Sequence, residues 1–208
     1  MVYPNQPVDV YLSPSVQDFN FGYGTYGTEE YRMNLIADVV QYDLERHGLT
    51  VMRNSPTQTL TQVVNESNAY SPAVHVAIHS NASDDHTARG PAVYVHRFGL
   101  QNSVRLANDI YERLLAIAPT DGLGVMEGKD AFGGKGYYEL RRTNAPAVLI
   151  EVAFHDQPAD AQYIIDNIVE IGTAIAQGIL AYFGIPYNPD TPENIAYLQS
   201  KYNSVYPE

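Results

Sequence analysis

The chain has 208 residues, of which 45% are hydrophobic, and this suffices for one domain with a full core. Its 24 acidic and 12 basic residues give a formal net charge of −12, which argues against nucleic acid or an anionic membrane surface as a partner. There is no cysteine, so disulfides and thiolate metal sites are excluded and any zinc ion would need nitrogen and oxygen ligands.

The N-terminal residues contain neither the basic nor the apolar region of a signal peptide. No stretch of the chain approaches 18 apolar residues, the length that a membrane-spanning helix requires. We therefore expect a protein that is made in the cytoplasm without an export signal, has no membrane partner and is a monomer.

The first third of the chain predicts strands and helices in alternation. Residues 8–12 form a short strand that a Ser-Pro-Ser sequence ends, and 16–28 is a long loop rich in glycine and aromatic residues. A helix is predicted over 29–47, with Thr28 as N-cap, because apolar residues recur at helical spacing. These are Met33, Ile36, Val40 and Leu44. A strand at 49–53 and a helix at 57–69 follow, an order typical of an α/β domain with a largely parallel sheet.

The next strand, 73–79, carries the most informative histidine. Its apolar residues alternate with His75, Ala77 and His79, and a polar turn follows. His79 therefore lies at the carboxyl end of a core strand, where sites are built in parallel sheets, although a hydrogen-bonded core histidine is the alternative. His75 is about 13 Å away along the strand, too far to share one zinc ion, so we interpret it as structural.

The rest of the chain predicts one more α/β segment and a tail. Glycine-rich residues 119–136 are unlike an ordinary connector and suggest a mobile loop over a site. We predict strands at 90–96 and 145–154 and helices at 104–117, 159–165 and 168–183. The expected fold is a single α/β domain, residues 1–186, with a mostly parallel or mixed sheet of about five to six strands and helices on both faces. Residues 187–208 read as a tail or linker with a short helix.

Glu151 is a lone carboxylate in the apolar strand 145–154. Burying a carboxylate is costly unless it is paired, protonated or near a metal ion. A functional role is therefore one interpretation, and a buried ion pair with Arg141 or Arg142 is the other.

Four features in this order resemble the zinc-dependent N-acetylmuramoyl-L-alanine amidases of cell-wall lysis, over about residues 8–184. They are the loop after the first strand, Glu30-x-x-x-Asn34 at the first helix, Ile78-His79-Ser80-Asn81, and Val148-Leu149-Ile150-Glu151. The resemblance implies that Glu30 and His79 bind zinc and that Glu151 transfers protons. The resemblance does not distinguish between phage lysins (endolysins), bacterial autolysins and sporulation enzymes.

The chain departs from the family at its first motif. A Gly-His-Gly sequence usually supplies the first zinc ligand there, whereas this chain has Leu-Ser-Pro-Ser-Val-Gln and no histidine before His47. The amide oxygen of Gln17 is one replacement for the missing imidazole. Water and His155 remain the alternatives.

The implied activity is zinc-dependent hydrolysis of the amide bond between N-acetylmuramic acid and L-alanine in peptidoglycan. Zinc would activate water and Glu151 would act as general base and acid. The expected substrate contacts are Asn81, Glu139, Arg141 and Arg142. For the last three, an exposed strand face without a substrate role is the alternative. The alternatives are a peptidoglycan-binding pseudo-enzyme without metal, a zinc peptidase acting within the stem peptide, and a structural domain.

Overall fold

A six-stranded sheet organises the computed structural model, which describes residues 7–203. The strands are β1 (Val10–Pro14), β2 (Val51–Arg53), β3 (Val74–Asn81), β4 (Ala92–Val95), β5 (Gly124–Glu127) and β6 (Ala147–Phe154). The helices are α1 (Glu29–Arg46), α2 (Leu60–Tyr70), α3 (Gln101–Ile117), α4 (Ala131–Gly134), α5 (Tyr138–Arg142), α6 (Pro158–Asp166), α7 (Ile168–Phe183) and α8 (Pro192–Tyr202). Residues 1–6 and 204–208, the ends of the predicted domain and tail, lie outside the described residues.

The strand order is β2-β1-β3-β6-β4-β5. Neighbouring strands run parallel except β4 and β6, which are antiparallel. This confirms the predicted α/β fold with a mixed sheet and flanking helices. In the central β3–β6 pair, His79 lies directly opposite Glu151, so these two side chains project from the same face at the carboxyl ends of their strands.

The two faces of the sheet are covered differently. Val74, Val76 and Ile78 of β3 point into the main core, which α1, α3 and α7 complete. On this side α7 lies so close to α3 that a Cβ atom on Gly178 would come within 2.5 Å of the Cα of Ile110. The opposite face holds a smaller apolar cluster, in which Ala77 packs near α5 and the aromatic rings of β4 and the loop before α5. The thin cover on this second face leaves room for a cavity.

Two segments differ from the sequence-based prediction. The glycine-rich stretch 119–136 contains β5, which pairs with β4 and extends the sheet. Residues 138–142 form the short helix α5 rather than an exposed strand face. β5 pairs with β4 across the intervening helix α3, and α5 packs on α2 as well as on β6, so local composition alone does not reveal either arrangement.

The predicted tail packs back on the domain. Tyr202 at the end of α8 is buried in the main core cluster, and Tyr42 of α1 donates a hydrogen bond to Asp190 at 2.6 Å. Within the described residues no single helix is long and apolar enough to cross a membrane. The α6–α7 pair reaches that length and apolarity together, with a bend of 79° between its helices.

Candidate functional site

A cavity of about 740 Å³ opens at the carboxyl ends of β3 and β6. Its walls come from the loop after β1, the start of α1, and the segment that includes α4 and α5. The ionisable and amide side chains that line it include Gln17, Glu29, His79, Glu139, Glu151 and His155. The site thus lies at the sheet edge that His79 indicated from the sequence.

His79 is held between two carboxylates. Its Nδ1 lies 2.7 Å from Oε1 of Glu29, and its Nε2 lies 3.7 Å from Oε2 of Glu139. Burial acts to lower the pKa of His79, but the adjacent Glu139 and Glu29 outweigh it and raise this pKa well above its usual value. Nδ1 of His79 and the carboxylate of Glu29 are therefore in direct hydrogen-bond contact.

The structure brings Glu29 to His79, and not the predicted Glu30. Glu29 is 1% exposed, whereas Glu30 is partly exposed, does not line the cavity and accepts a hydrogen bond from Asn34. Consecutive residues on a helix point about 100° apart, so only one of two adjacent glutamates can face the site. The sequence contained an indication of this choice. Glu29 precedes the buried Met33 by four residues and therefore lies on the same face of α1.

Glu151 is the second distinctive group. Its side chain is 7% exposed, and Oε2 is buried without a hydrogen-bond partner among the described residues. Neither Arg141 nor Arg142 forms an ion pair with it there. Burial raises its pKa to about 8, with Glu29 adding to the effect and His79 opposing it. A carboxyl group with this pKa can both accept and donate a proton near neutral pH.

We expect this raised pKa to appear as a pH-dependent stability difference. In the metal-free protein, folded Glu151 keeps its proton up to a pKa of about 8, whereas in the unfolded chain the pKa is near the ordinary 4.5. The unfolding free energy should therefore decline as the pH rises through this window. Glu151→Gln does not titrate, so its stability advantage over wild type should grow from pH 4.5 to pH 8 in urea titrations with chelator. A pH-independent difference would contradict the assignment.

Glu139 lies beneath the cavity rather than at its mouth. It is 3% exposed, and Oε1 accepts hydrogen bonds from the hydroxyl of Ser13 and from Nε2 of His75, the latter at 3.1 Å. His75 is fully buried, and its Nδ1 lies 2.9 Å from Oγ of Ser67. His75 is therefore part of a buried polar network, in agreement with its structural interpretation, and Glu139 belongs to the same network.

The two protein candidates for a third zinc ligand have different surroundings. Oε1 of Gln17 lies 3.5 Å from the Asn20 amide nitrogen, which also donates to Glu29 at 2.7 Å. His155 is 1% exposed, and its ring nitrogens lie 2.8 Å from Oγ of Ser80 and 3.1 Å from Oδ1 of Asn20. Both nitrogens of His155 thus already have partners, whereas the Gln17 oxygen lies near Glu29 with one weak contact.

The remaining predicted contacts lie at the mouth of the cavity or beyond it. Asn81 and the exposed Arg141 line the cavity, whereas Arg142 is exposed and outside its lining. Two exposed aromatic rings, Phe19 and Phe132, also border the opening, and the backbone of Phe132 adopts a φ of +52°. This conformation is costly for a bulky residue, and the Phe132 ring makes an edge contact with Tyr137 at 5.3 Å.

The donor set fits a zinc ion with nitrogen and oxygen ligands. Imidazole and carboxylate are ordinary zinc ligands, and His79 and Glu29 present both at one point. Glu29, Glu139 and Glu151 place three carboxylates around His79, an excess of negative charge that a cation would balance. No group of three or more His, Asp or Glu suited to a metal occurs within residues 7–203, so the described residues do not show which group would be the third ligand.

Sequence comparison matches residues 17–181 to the family described as N-acetylmuramoyl-L-alanine amidase. The N-acetylmuramoyl-L-alanine amidase LytC of Bacillus subtilis (strain 168) is 27% identical over 181 residues, which are 84% of this chain and 35% of LytC. The probable cell wall amidase LytH of Staphylococcus saprophyticus is 27% identical over 142 residues, 67% of this chain and 45% of LytH. The chain thus spans less than half the length of these curated relatives.

Comparison with solved structures gives the same fold. The N-acetylmuramoyl-L-alanine amidase AmiC2 of Nostoc punctiforme superposes with a TM-score of 0.74 and 21% identity, covering 87% of this chain and 99% of that one. At this identity the likeness is evidence for the fold alone. The chemical activity of this chain is inferred from the residues that line its cavity.

Proposed function

Since the chain belongs to the N-acetylmuramoyl-L-alanine amidase family, we propose that it hydrolyses the amide bond between the lactyl group of N-acetylmuramic acid and L-alanine in peptidoglycan. The family match confirms the resemblance that the motifs indicated. The observation that carries the proposed activity is the buried Glu151 opposite His79, whose Oε2 has no hydrogen-bond partner within residues 7–203. We further propose that the protein acts on the cell wall, whether it is released by a phage or exported.

Zinc would be held by His79 and Glu29, which replaces Glu30 in the proposed ligand set, together with Gln17 or water. When bound, zinc would polarise the scissile carbonyl and favour ionisation of the attacking water. Asn20 supports this arrangement because its amide donates to Glu29 and restrains the carboxylate beside the histidine.

Glu151 is the proposed general base and acid. Its pKa of about 8 would be lowered by a nearby cation, which leaves the carboxylate ready to accept a proton from water. The same group would then donate that proton to the leaving amine of L-alanine. Its closed, apolar strand environment keeps bulk water from competing for this transfer.

The mouth of the cavity suggests how the substrate is oriented. Arg141, Lys135 and Asn81 lie along the lining and offer donors for a stem-peptide carboxylate and for amide groups. Glu139 is no longer a proposed substrate contact, because its carboxylate faces buried partners. Arg142 remains a weaker proposal, since it lies outside the cavity lining.

Two measurements on the same protein separate this proposal from its alternatives. Elemental analysis of purified protein should give about one zinc per chain, and mass spectrometry of digested peptidoglycan should give free stem peptides that begin with L-alanine. Cleavage within the stem, with L-alanine still attached to the sugar, would indicate a zinc peptidase. Retention on peptidoglycan without hydrolysis or metal would indicate a pseudo-enzyme.

We expect Gln17→Ala to weaken zinc binding without abolishing it, and Gln17→His to strengthen it. An amide oxygen is a poorer zinc ligand than imidazole, so the natural residue gives an intermediate affinity. Chelator competition measures this directly, and Gln41→Ala is the matched control, since Gln41 is a partly exposed glutamine of α1 outside the cavity lining. Equal affinity in wild type and Gln17→Ala would exclude Gln17 as a ligand and leave water or His155.

A further inference from the structure

A continuous chain of buried polar groups leads from α2 to His79. The hydroxyl of Ser67 contacts Nδ1 of His75 at 2.9 Å, and Nε2 of His75 contacts Oε1 of Glu139 at 3.1 Å. Ser13 at the end of β1 donates to the same oxygen. The other oxygen of Glu139 faces Nε2 of His79 at 3.7 Å, an ion-pair distance slightly longer than a hydrogen bond.

The donors and acceptors along this chain have only one consistent arrangement. An ionised carboxylate accepts only, so Nε2 of His75 must carry a proton, and its Nδ1 then accepts from the hydroxyl of Ser67. Oε1 of Glu139 already receives two donors, which leaves Oε2 turned towards His79. Nε2 of His79 is consequently protonated and faces Glu139, whereas its Nδ1 faces Glu29, where a metal ion would take the place of the proton between the two groups.

We propose that Glu139 is a positioning residue that holds the ring of His79, through its Nε2–H, so that Nδ1 is presented to the metal beside Glu29. The inference rests on the proposed zinc site. Histidine ligands generally donate their second ring N–H to a carboxylate, carbonyl or water, which fixes the tautomer and the ring orientation. Ser13 and His75 fix Glu139 in turn.

Simple packing does not account for this arrangement. A buried carboxylate carries a large desolvation cost, and an amide or an apolar side chain could fill the same volume without it. The hydroxyl of Ser13 and Nε2 of His75 both face Oε1 of Glu139, which is the arrangement that an ionised carboxylate requires.

Glu139→Gln tests the proposal with nearly unchanged shape. The amide oxygen would keep the donors Ser13 and His75, which turns the NH₂ group towards Nε2 of His79. That contact favours the opposite tautomer, with the proton on Nδ1. We expect zinc affinity in chelator competition to fall about 10- to 100-fold, and the NMR signal of the hydrogen-bonded Nε2–H of His79 to disappear from the zinc-loaded protein.

Asp43→Asn is the matched control for a general loss of stability. Asp43 is another buried carboxylate, 3% exposed, that accepts from Arg46 and Thr173 on the outer side of α1. We expect this variant to unfold at a lower temperature with unchanged zinc affinity and an unchanged His79 signal. If Glu139→Gln does not fold, Ser13→Ala removes one support of Glu139, and its zinc affinity should fall less but in the same direction.

The possible outcomes separate the two proposals. The positioning role would be overturned if Glu139→Gln kept wild-type zinc affinity and an intact His79 Nε2–H signal. If Glu139→Gln does not fold, unchanged zinc affinity in Ser13→Ala would overturn it. Either result would leave the proposed zinc site in place. Failure of the wild-type protein to bind zinc would overturn the proposed metal site, and the positioning role with it.

Discussion

Replacing Glu151 by glutamine should reduce amide hydrolysis by on the order of 10²-fold or more. The amide cannot accept the proton of the attacking water, and it cannot return a proton to the leaving amine. Size and burial are almost unchanged, so zinc binding should persist. Turnover is measured as release of stem peptides from purified peptidoglycan, with zinc content and thermal unfolding determined on the same sample.

Glu66→Gln is the matched control for this experiment. Glu66 is a partly buried glutamate on α2 that accepts hydrogen bonds from Tyr11 and Gln58 and does not line the cavity. We expect it to retain wild-type turnover. Near-normal turnover in Glu151→Gln would mean that another group transfers the proton, whereas loss of zinc in that variant would make Glu151 a metal ligand.

Removal of His79, the proposed histidine ligand, should affect zinc content directly. His79→Ala is expected to abolish stoichiometric zinc and, with it, activity, because the remaining ligands are a carboxylate and a neutral amide or water. Glu29→Gln should also lose most of its zinc, since it removes the charged oxygen 2.7 Å from Nδ1 of His79. Zinc per chain after dialysis, measured by elemental analysis, is the readout.

Glu30→Gln is the matched control, since it changes the adjacent residue in the same helical turn. Glu30 bonds with Asn34 and does not line the cavity, so this variant should keep wild-type zinc and turnover. The reverse result, with zinc lost in Glu30→Gln and kept in Glu29→Gln, would show that Glu30 is the ligand, as the sequence motif indicated. Retention of zinc in His79→Ala would place the metal site elsewhere.

Local sequence pattern determined the class of fold and the principal strand of the site. Alternation over β3 and the apolar run of β6 depend only on neighbouring residues, as does the helical spacing of α1. Sites in parallel sheets lie at the carboxyl ends of the strands, so the position of His79 indicated the edge at which the cavity opens. The register that places Glu151 opposite His79 was given by the structure.

Only the tertiary structure decided which of the adjacent glutamates faces His79, where Glu139 points, and that β5 forms within a glycine-rich segment. The rotation of α1 about its axis is set by its packing on β1, β3 and α7, and it selects Glu29 over Glu30. Glu139 is buried because α5 packs on β6 above the polar side chains of β1 and β3. The spacing of buried residues along α1 is compatible with Glu29, but composition and periodicity do not show which elements pack against each segment, and that packing decides all three features.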